Sequence, residues 1–527
     1  MRPTLTPATL QRRAQSSPGP GVGAFARQVP TALALVLAGL AAVLAYRVAG
    51  HYFEFWPHLE DEVAYWWQAQ AATRNQLTVP SPPEPERVLV PFVVDRASRR
   101  FGKYPPGWPV VLSLGMRAGR AAWVNPLLAG LAVFLLYRLG QRVADPAVGL
   151  LAAALALTSP FFWMHAGSLL AHMWAWVLTL ACSLALLDVF WPRDAAPPWP
   201  WPATVAGLSL ALLLLTRPWT ALGVALPWLG PGLWALARGH GRRGALWAGL
   251  LAAGGAGLVL VWQAALTGHP WQSPYTLWWP YDRPGFGPGH GPLPEGHSLH
   301  QAWVNTRFTL QVAAGDVLGW ARVSWLGLPL GVWAARRRPR AWPVLLAFPA
   351  LVGVYLAYWV GAWVLGPRYY FEGLHSWLLA TAWGWVEAWR WARGRPRGRR
   401  VGVRLGLAAA LALLVALDLR YYLPSRLSMM RGLYGMTPRR VAVFFTPEAQ
   451  ALTPAWVRVQ GVRRWNDYAV YVPLQDPWLS SPWVFVIDPA DDPQALATLR
   501  QTFRGRTEVL YDPQQPHRLT VVVTAPR

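Results

Sequence analysis

Residues 30–62 read PTALALVLAGLAAVLAYRVAGHYFEFWPHLEDE. About twenty mostly apolar residues, enough to cross a bilayer as a helix, lead through a short aromatic stretch into three consecutive acids, Glu60, Asp61 and Glu62. On the other side, residues 1–29 carry Arg2, Arg12, Arg13 and Arg27 and no acid, among Ser, Pro and Gly. This reads as a disordered basic tail on the cytoplasmic side of a first span. No small-residue cleavage site follows the apolar run, so the span is expected to stay uncleaved.

The rest of the chain repeats the pattern. Hydrophobic residues make up 54% and charged residues 14% of the 527, against about 25% charged in an average soluble domain. Apolar stretches lie near 30–50, 122–140, 147–164, 169–190, 202–216, 218–236, 244–265, 317–335, 342–365, 370–389 and 402–422. The expected fold is therefore an all-α polytopic membrane protein with about eleven transmembrane helices. Arginines collect on alternate connections: Arg138 and Arg142, Arg193, Arg238 to Arg243, Arg336 to Arg340, and Arg390 to Arg400. The positive-inside rule then puts the N-terminus inside. It also puts three long segments outside: the loops 51–121 and 266–316, and the tail 423–527. The net charge of +24 belongs to these span flanks, so no nucleic-acid partner is expected; the bilayer is the partner the composition implies.

The tail changes character. Trp456–Val459, Tyr468–Val472, Trp483–Ile487, Glu508–Tyr511 and Leu519–Thr524 read as short strands, and Asp491–Phe503 as a helix opened by Asp491-Asp492-Pro493. A small extracytoplasmic α/β domain is expected over 423–527. The membrane domain spans 30–422, and no internal repeat is visible.

Chemistry is expected on the outer face. Acid is scarce, 24 Asp plus Glu in all, yet Glu60, Asp61 and Glu62 stand together at an apolar boundary. There a carboxylate tends to a raised pKa, which suits a general base. A helix start at Asp61 explains the same residues equally well. Among 48 basic residues there is one lysine, Lys103, in Phe101-Gly102-Lys103-Tyr104-Pro105-Pro106-Gly107-Trp108. A compact ammonium grips phosphate. Two short outer connections carry an arginine against the charge rule, Arg217 after Thr216 and Arg368 in Gly366-Pro367-Arg368-Tyr369-Tyr370. Three cations near one membrane face call for an anion such as a lipid phosphate. His165 and His172 flank the turn between the third and fourth stretches and face the same side. Cys182 is the one cysteine, so neither an intramolecular disulfide nor a cysteine metal site is available. The spacing of His297 and His300 is a poor metal pattern. No phosphate-binding glycine loop, nucleophile elbow or zinc-protease helix is present, which argues against a nucleotide substrate.

One inside tail, one span, Asp61-Glu62-x-x-Tyr65 and then Lys103-Tyr104-Pro105-Pro106-Gly107 on one outer loop resemble the C-type glycosyltransferase superfamily (GT-C). This superfamily includes protein O-mannosyltransferases and lipid A aminoarabinose transferases. Asn125-Pro126 to Pro160 is similar to its second and third spans, and Gly366-Pro367-Arg368-Tyr369-Tyr370 to a late Arg-Tyr motif. The resemblance covers about residues 30–420. It implies a membrane enzyme moving a sugar from a polyprenyl-phosphate donor to an envelope acceptor, a glycolipid, polysaccharide or protein, at the outer face of the cytoplasmic membrane. It implies Asp61 as catalytic base with Glu62 beside it, and Lys103 on the lipid phosphate, joined by Arg217 and Arg368. Tyr65, Tyr104, His165, His172 and Tyr369 would line the substrate cavity. The turn 159–168 has His165 where many members carry an acid, and Phe371-Glu372 stand where a proline is common. No cofactor is required by the sequence, and a divalent metal has no support in it. The alternatives are a lipid-linked sugar transporter or flippase, disfavoured by apolar span centres and the lack of a repeat, and a non-catalytic envelope scaffold.

Overall fold

A computed structural model describes residues 20–193, 199–362 and 364–524. Helix α1 (Pro20–His51) starts ten residues before the expected first span; residues 1–19 of the expected tail lie outside the described residues. The outer loop then forms α2 (Glu60–Thr73), a three-stranded antiparallel sheet and α3 (Gly107–Arg117). The sheet order is β1 (Val79–Pro80), β3 (Arg99–Gly102), β2 (Val93–Arg96).

Among the described residues six helices are long and apolar enough to cross a membrane: Gln28–His51, Ala121–Val143, His172–Phe190, Pro218–Arg238, Arg242–Thr267 and the run Arg397–Gly435. The chain is accordingly a mostly helical membrane protein. The pair Pro146–Ala156 and Pro160–Gly167 makes a seventh if its 65° bend is one broken span. The remaining expected spans are shorter pieces. Stretch 202–216 is the helix Trp201–Leu214, and 317–335 keeps only Leu328–Ala335. Stretch 342–365 breaks into Trp342–Leu345 and Ala347–Tyr355. Stretch 370–389 starts with a 3-10 turn, Arg368–Gly373, before Leu374–Trp391. Hydropathy sees the apolar run; the breaks come from local chemistry, such as Pro160 with Ser159 Oγ capping Phe162 N at 3.1 Å.

The spans pack through small residues. A Cβ on Gly130 of the Val124–Val143 helix would meet the Ala38 carbonyl of α1 at 2.8 Å, and one on Gly207 would meet the Ala248 carbonyl at 2.8 Å. The two ends of the bundle differ. At one end the arginine-rich connections meet: Arg390 pairs with Asp145 at 2.7 Å, Arg142 with Asp188 at 3.1 Å, and Arg338 donates to the Ala144 carbonyl at 3.2 Å. At the other end the three long segments meet. Lys103 of the first pairs with Asp282 of the second at 3.1 Å, and Gln70 of α2 donates to the Gln475 carbonyl of the tail at 3.2 Å. Trp478 of the tail donates to Gln76 at 2.7 Å.

The tail holds a four-stranded sheet in the order β5 (Trp483–Ile487), β4 (Ala455–Val459), β6 (Thr507–Tyr511), β7 (Leu519–Val523). β4 is parallel to both neighbours, and β7 closes the sheet antiparallel to β6. The helix Pro493–Thr502 is capped by Asp492, which accepts from Ala495 N at 2.9 Å. One expected strand is absent. Tyr468–Val472 is the end of a short helix, Trp465–Ala469, running into a 3-10 turn, Val472–Leu474. All five residues of that stretch are fully buried, and burial on every side leaves no alternation to separate strand from helix. The Asp467 carboxylate, which accepts from Arg463 N and Arg464 N, fixes the helical choice.

Candidate functional site

Helix α2 presents Asp61 at its first turn. Its start needs no Asp61 side chain, because Glu62 does that work. The Glu62 carboxylate accepts from His58 N at 2.7 Å, Leu59 N at 3.1 Å and Leu169 N at 2.6 Å. It is 1% exposed and ties the helix start to the turn after Gly167. The expected catalytic place of Glu62 beside Asp61 is thus taken by a scaffold contact. Of the two readings of the acidic cluster, the cap belongs to Glu62, and the Asp61 side chain turns instead to Tyr104 and Arg368.

Asp61 faces polar groups from three separate segments, Lys103-Tyr104, Arg217 and Arg368. Tyr104 OH donates to Oδ1 at 2.5 Å, and Arg368 Nη1 lies 3.3 Å from Oδ2. Burial alone would raise the Asp61 carboxyl, but Arg368, the Tyr104 hydroxyl, Lys103 and Arg217 outweigh it and hold it below the usual carboxylate range. The raised pKa expected of Asp61 therefore belongs to its neighbour. Burial first, then the Asp61 charge, push Glu60 up to about 7, against the pull of Lys103 and Arg368.

The other expected residues gather around this pair. The Tyr65 ring stands 4.5 Å from that of Tyr104, and Arg368 lies 5.4 Å from the Tyr369 ring. Arg217 is 6.0 Å from the same ring. Arg217 is held from three directions, by Glu372 at 3.3 Å, Thr220 at 3.1 Å and the Tyr355 hydroxyl at 3.3 Å. Its Nη1 is 3.4 Å from His172 Nε2, and His172 Nδ1 is 3.1 Å from the same Glu372 oxygen. With Arg217 donating to Nε2, the Nδ1–H donates to Glu372. His165 stacks its ring 4.6 Å from His172 and contacts the Leu365 carbonyl at 3.2 Å, fully buried. It backs the site rather than facing it.

Lys103 is 3% exposed. Its ammonium sits 3.6 Å above the Phe92 ring, with Trp279 at 4.8 Å, Tyr275 at 5.1 Å and Tyr104 at 5.4 Å. Burial lowers its pKa, while Asp282, Asp61 and Glu60 pull the other way. Among the described residues no group of three His, Cys, Asp or Glu is placed to hold a metal ion. Where Glu372 and His172 meet, the third partner is a guanidinium rather than a donor.

Asp282 and Tyr355 escaped the sequence reading altogether, and Glu60 and Glu372 were named there without a role of their own. Acid scarcity was the available signal. Glu372 and Asp282 are two of 24 acids, one four residues after Arg368 and one in the second outer loop. A cavity of about 460 Å³ lies on another face of α2, against Trp66, Gln70 and Thr73.

No protein-family model matches the chain, and no curated protein matches it in sequence. Its structure is similar to that of ArnT from Cupriavidus metallidurans in the apo state, with a TM-score of 0.54 at 13% identity over 91% of this chain and 93% of that one. The same protein bound to undecaprenyl phosphate gives 0.53 at 14%, over 90% and 92%. The apo Archaeoglobus fulgidus oligosaccharyltransferase gives 0.48 at 14%; the matched part is 86% of this chain but only 65% of that one. The chain shares the fold of ArnT.

Proposed function

We propose that this protein is a membrane glycosyltransferase that moves a sugar from a polyprenyl-phosphate donor to an envelope acceptor at the outer face of the cytoplasmic membrane. One observation carries the reading: Asp61 pairs directly with Arg368 and lies within the charge influence of Lys103 and Arg217, which are themselves paired with Asp282 and Glu372. The three cations arrive from three different connections at the end of the bundle away from the arginine-rich loops. That arrangement suits a reaction in which a proton leaves one partner as negative charge grows on the other. The ArnT fold, solved with undecaprenyl phosphate, supports the donor class.

In this reading the acceptor hydroxyl gives its proton to Asp61 as its oxygen attacks the anomeric carbon. The bond from that carbon to the phosphate oxygen breaks, and polyprenyl phosphate leaves with the electron pair, giving inversion. Arg368 and Arg217 hold the developing charge. Arg368 has a second effect. It lies against Asp61 when the donor is absent and depresses its basicity, so a donor phosphate that draws Arg368 away leaves Asp61 the stronger base. Donor binding and base activation are coupled through one guanidinium. The test is mass spectrometry of envelope glycolipids, polysaccharides and glycoproteins from cells with and without the protein. Loss of one glycoform supports the reading; an unchanged envelope under conditions of confirmed expression contradicts it.

A further inference from the structure

Lys103 is expected to bind phosphate, yet no phosphate can reach it as it stands. Its ammonium has three donors and one hydrogen-bonding acceptor, Asp282 Oδ2 at 3.1 Å. Aromatic faces enclose the rest. Asp282 is 4% exposed, and its other oxygen accepts from the Tyr358 hydroxyl at 2.8 Å and Trp359 Nε1 at 3.3 Å. Both partners of the ion pair are therefore sealed from solvent.

The segment that delivers Asp282 is built differently from the rest of the site. After Tyr275–Trp278 it has no helix or strand until Leu299, only one isolated bridge between Gly287 and His297. Gly285, Gly287, Gly289, Gly291 and Gly296 all have φ between +72° and +140°, a region open to glycine and few other residues. Hydrogen bonds within the segment, such as Gly291 N to the Tyr281 carbonyl and Gly287 N to that of His297, fold it on itself. Gly285 N to the Ala357 carbonyl and His297 Nε2, 2.9 Å from the Leu356 carbonyl, tie it to the chain beyond. Asp282 thus sits on a glycine-hinged strap laid over the lysine.

We infer that Asp282 is the resident counter-ion of Lys103, and that a phosphate headgroup reaches Lys103 only by displacing it, opening the 279–297 strap. This rests on the donor role of Lys103 proposed above. The exchange is chemically balanced: the ammonium trades one carboxylate oxygen for the several oxygens of a phosphate. Opening the strap releases Asp282 from Tyr358 and Trp359 to water, so neither charge is left buried and unpaired. A pair that served only to pin the two loops together would resist the ligand instead of yielding to it.

Amide hydrogen exchange on the full chain in detergent, read by mass spectrometry over 279–297, tests this. The samples are the parent, Asp282→Asn and Tyr358→Phe, each alone, with undecaprenyl phosphate and with inorganic phosphate. Tyr358→Phe weakens the hold on Asp282 without leaving Lys103 unpaired, so it reports even if Asp282→Asn folds poorly. Expected is at least a tenfold faster exchange of the strap in Asp282→Asn, a smaller rise in Tyr358→Phe, and a rise of the Asp282→Asn size when undecaprenyl phosphate is added to the parent. An equal rise with inorganic phosphate assigns the displacement to the headgroup alone; a rise with the lipid only adds a need for the prenyl chain. Parent-like exchange in both variants overturns the strap. So does slower exchange of the parent strap when undecaprenyl phosphate binds. A strap that opens in Asp282→Asn but ignores undecaprenyl phosphate overturns the displacement and the donor role of Lys103, while leaving the role of Asp61 to its own test below.

Discussion

Tyr104 donates to one oxygen of Asp61 at 2.5 Å while Arg368 lies 3.3 Å from the other. The carboxylate is thus oriented by a neutral donor and neutralised by a cation, one on each oxygen. A hydrogen bond to a charged group contributes about 1.5–3 kcal/mol. Tyr104→Phe is expected to lower kcat by roughly ten- to a hundredfold and to shift the acid limb of the pH–rate profile upward, because Tyr104 helps hold the Asp61 carboxyl down. An unchanged acid limb would detach Tyr104 from the base.

Glu60 and Glu62 contribute stability that falls as the medium becomes less acidic, opposite in sign to His58, whose pKa burial lowers. Burial first raises both Glu60 and Glu62 to about 7 from 4.5. For Glu62 burial wins even against three backbone donors. Between about 4.5 and about 7 the folded protein therefore holds protons that the unfolded chain has released, and stability drops as pH rises through that window. The depressed Asp61 carboxyl acts below 3.8, outside it. Apparent unfolding temperatures in detergent at pH 5, 6, 7 and 8 should show the parent losing ground relative to Glu60→Gln as pH rises. A parent-minus-variant difference that stays constant or grows over that range contradicts the assignment.

Glu372 is fully buried and holds both His172 and Arg217 through one oxygen. Glu372→Gln is expected to lower kcat more than it raises the donor KM, since Arg217 is set for the charge that grows in the transition state. Combined with Arg217→Lys, the effect should be much less than the sum of the two, because both variants disable one unit. Full additivity would place Glu372 outside the site.

The sequence made some of this visible and hid the rest for physical reasons. Lys103 stood out as the lone lysine, but its partner Asp282 is 179 positions away, and nothing local ties them. The acidic cluster was visible as a cluster, but which of its members meets which partner depends on helix rotation. At successive positions of α2, Asp61 meets Tyr104 and Glu62 meets Leu169 N. The apolar runs marked the membrane domain, but their breaks near Pro160, Leu328 and Leu346 depend on capping and close packing that hydropathy averages away. The tail strands were readable from their β-branched and aromatic runs, which Tyr468–Val472 shares although it folds as a helix end and a 3-10 turn.

Orientation supports every role assigned to the outer face. The arginine-rich connections meet at one end of the bundle and Asp61 lies toward the other. Reporters active only outside the cytoplasm, inserted after residue 290 and fused after residue 527, should both be active. Silence of both would put Asp61 in the cytoplasm, where flipped polyprenyl-phosphate sugars are not presented.

The most direct measurement of the central claim is transfer by Asp61→Asn, assayed in detergent with a polyprenyl-phosphate sugar as donor. The change keeps the shape of the side chain and removes the base. Activity is expected to fall about a hundredfold or more, the range for losing a general base, while the variant remains folded and still binds undecaprenyl phosphate. Parent-level transfer by a folded Asp61→Asn protein would contradict Asp61 as the base and leave Glu60, the adjacent carboxyl pushed up to about 7, to account for the proton.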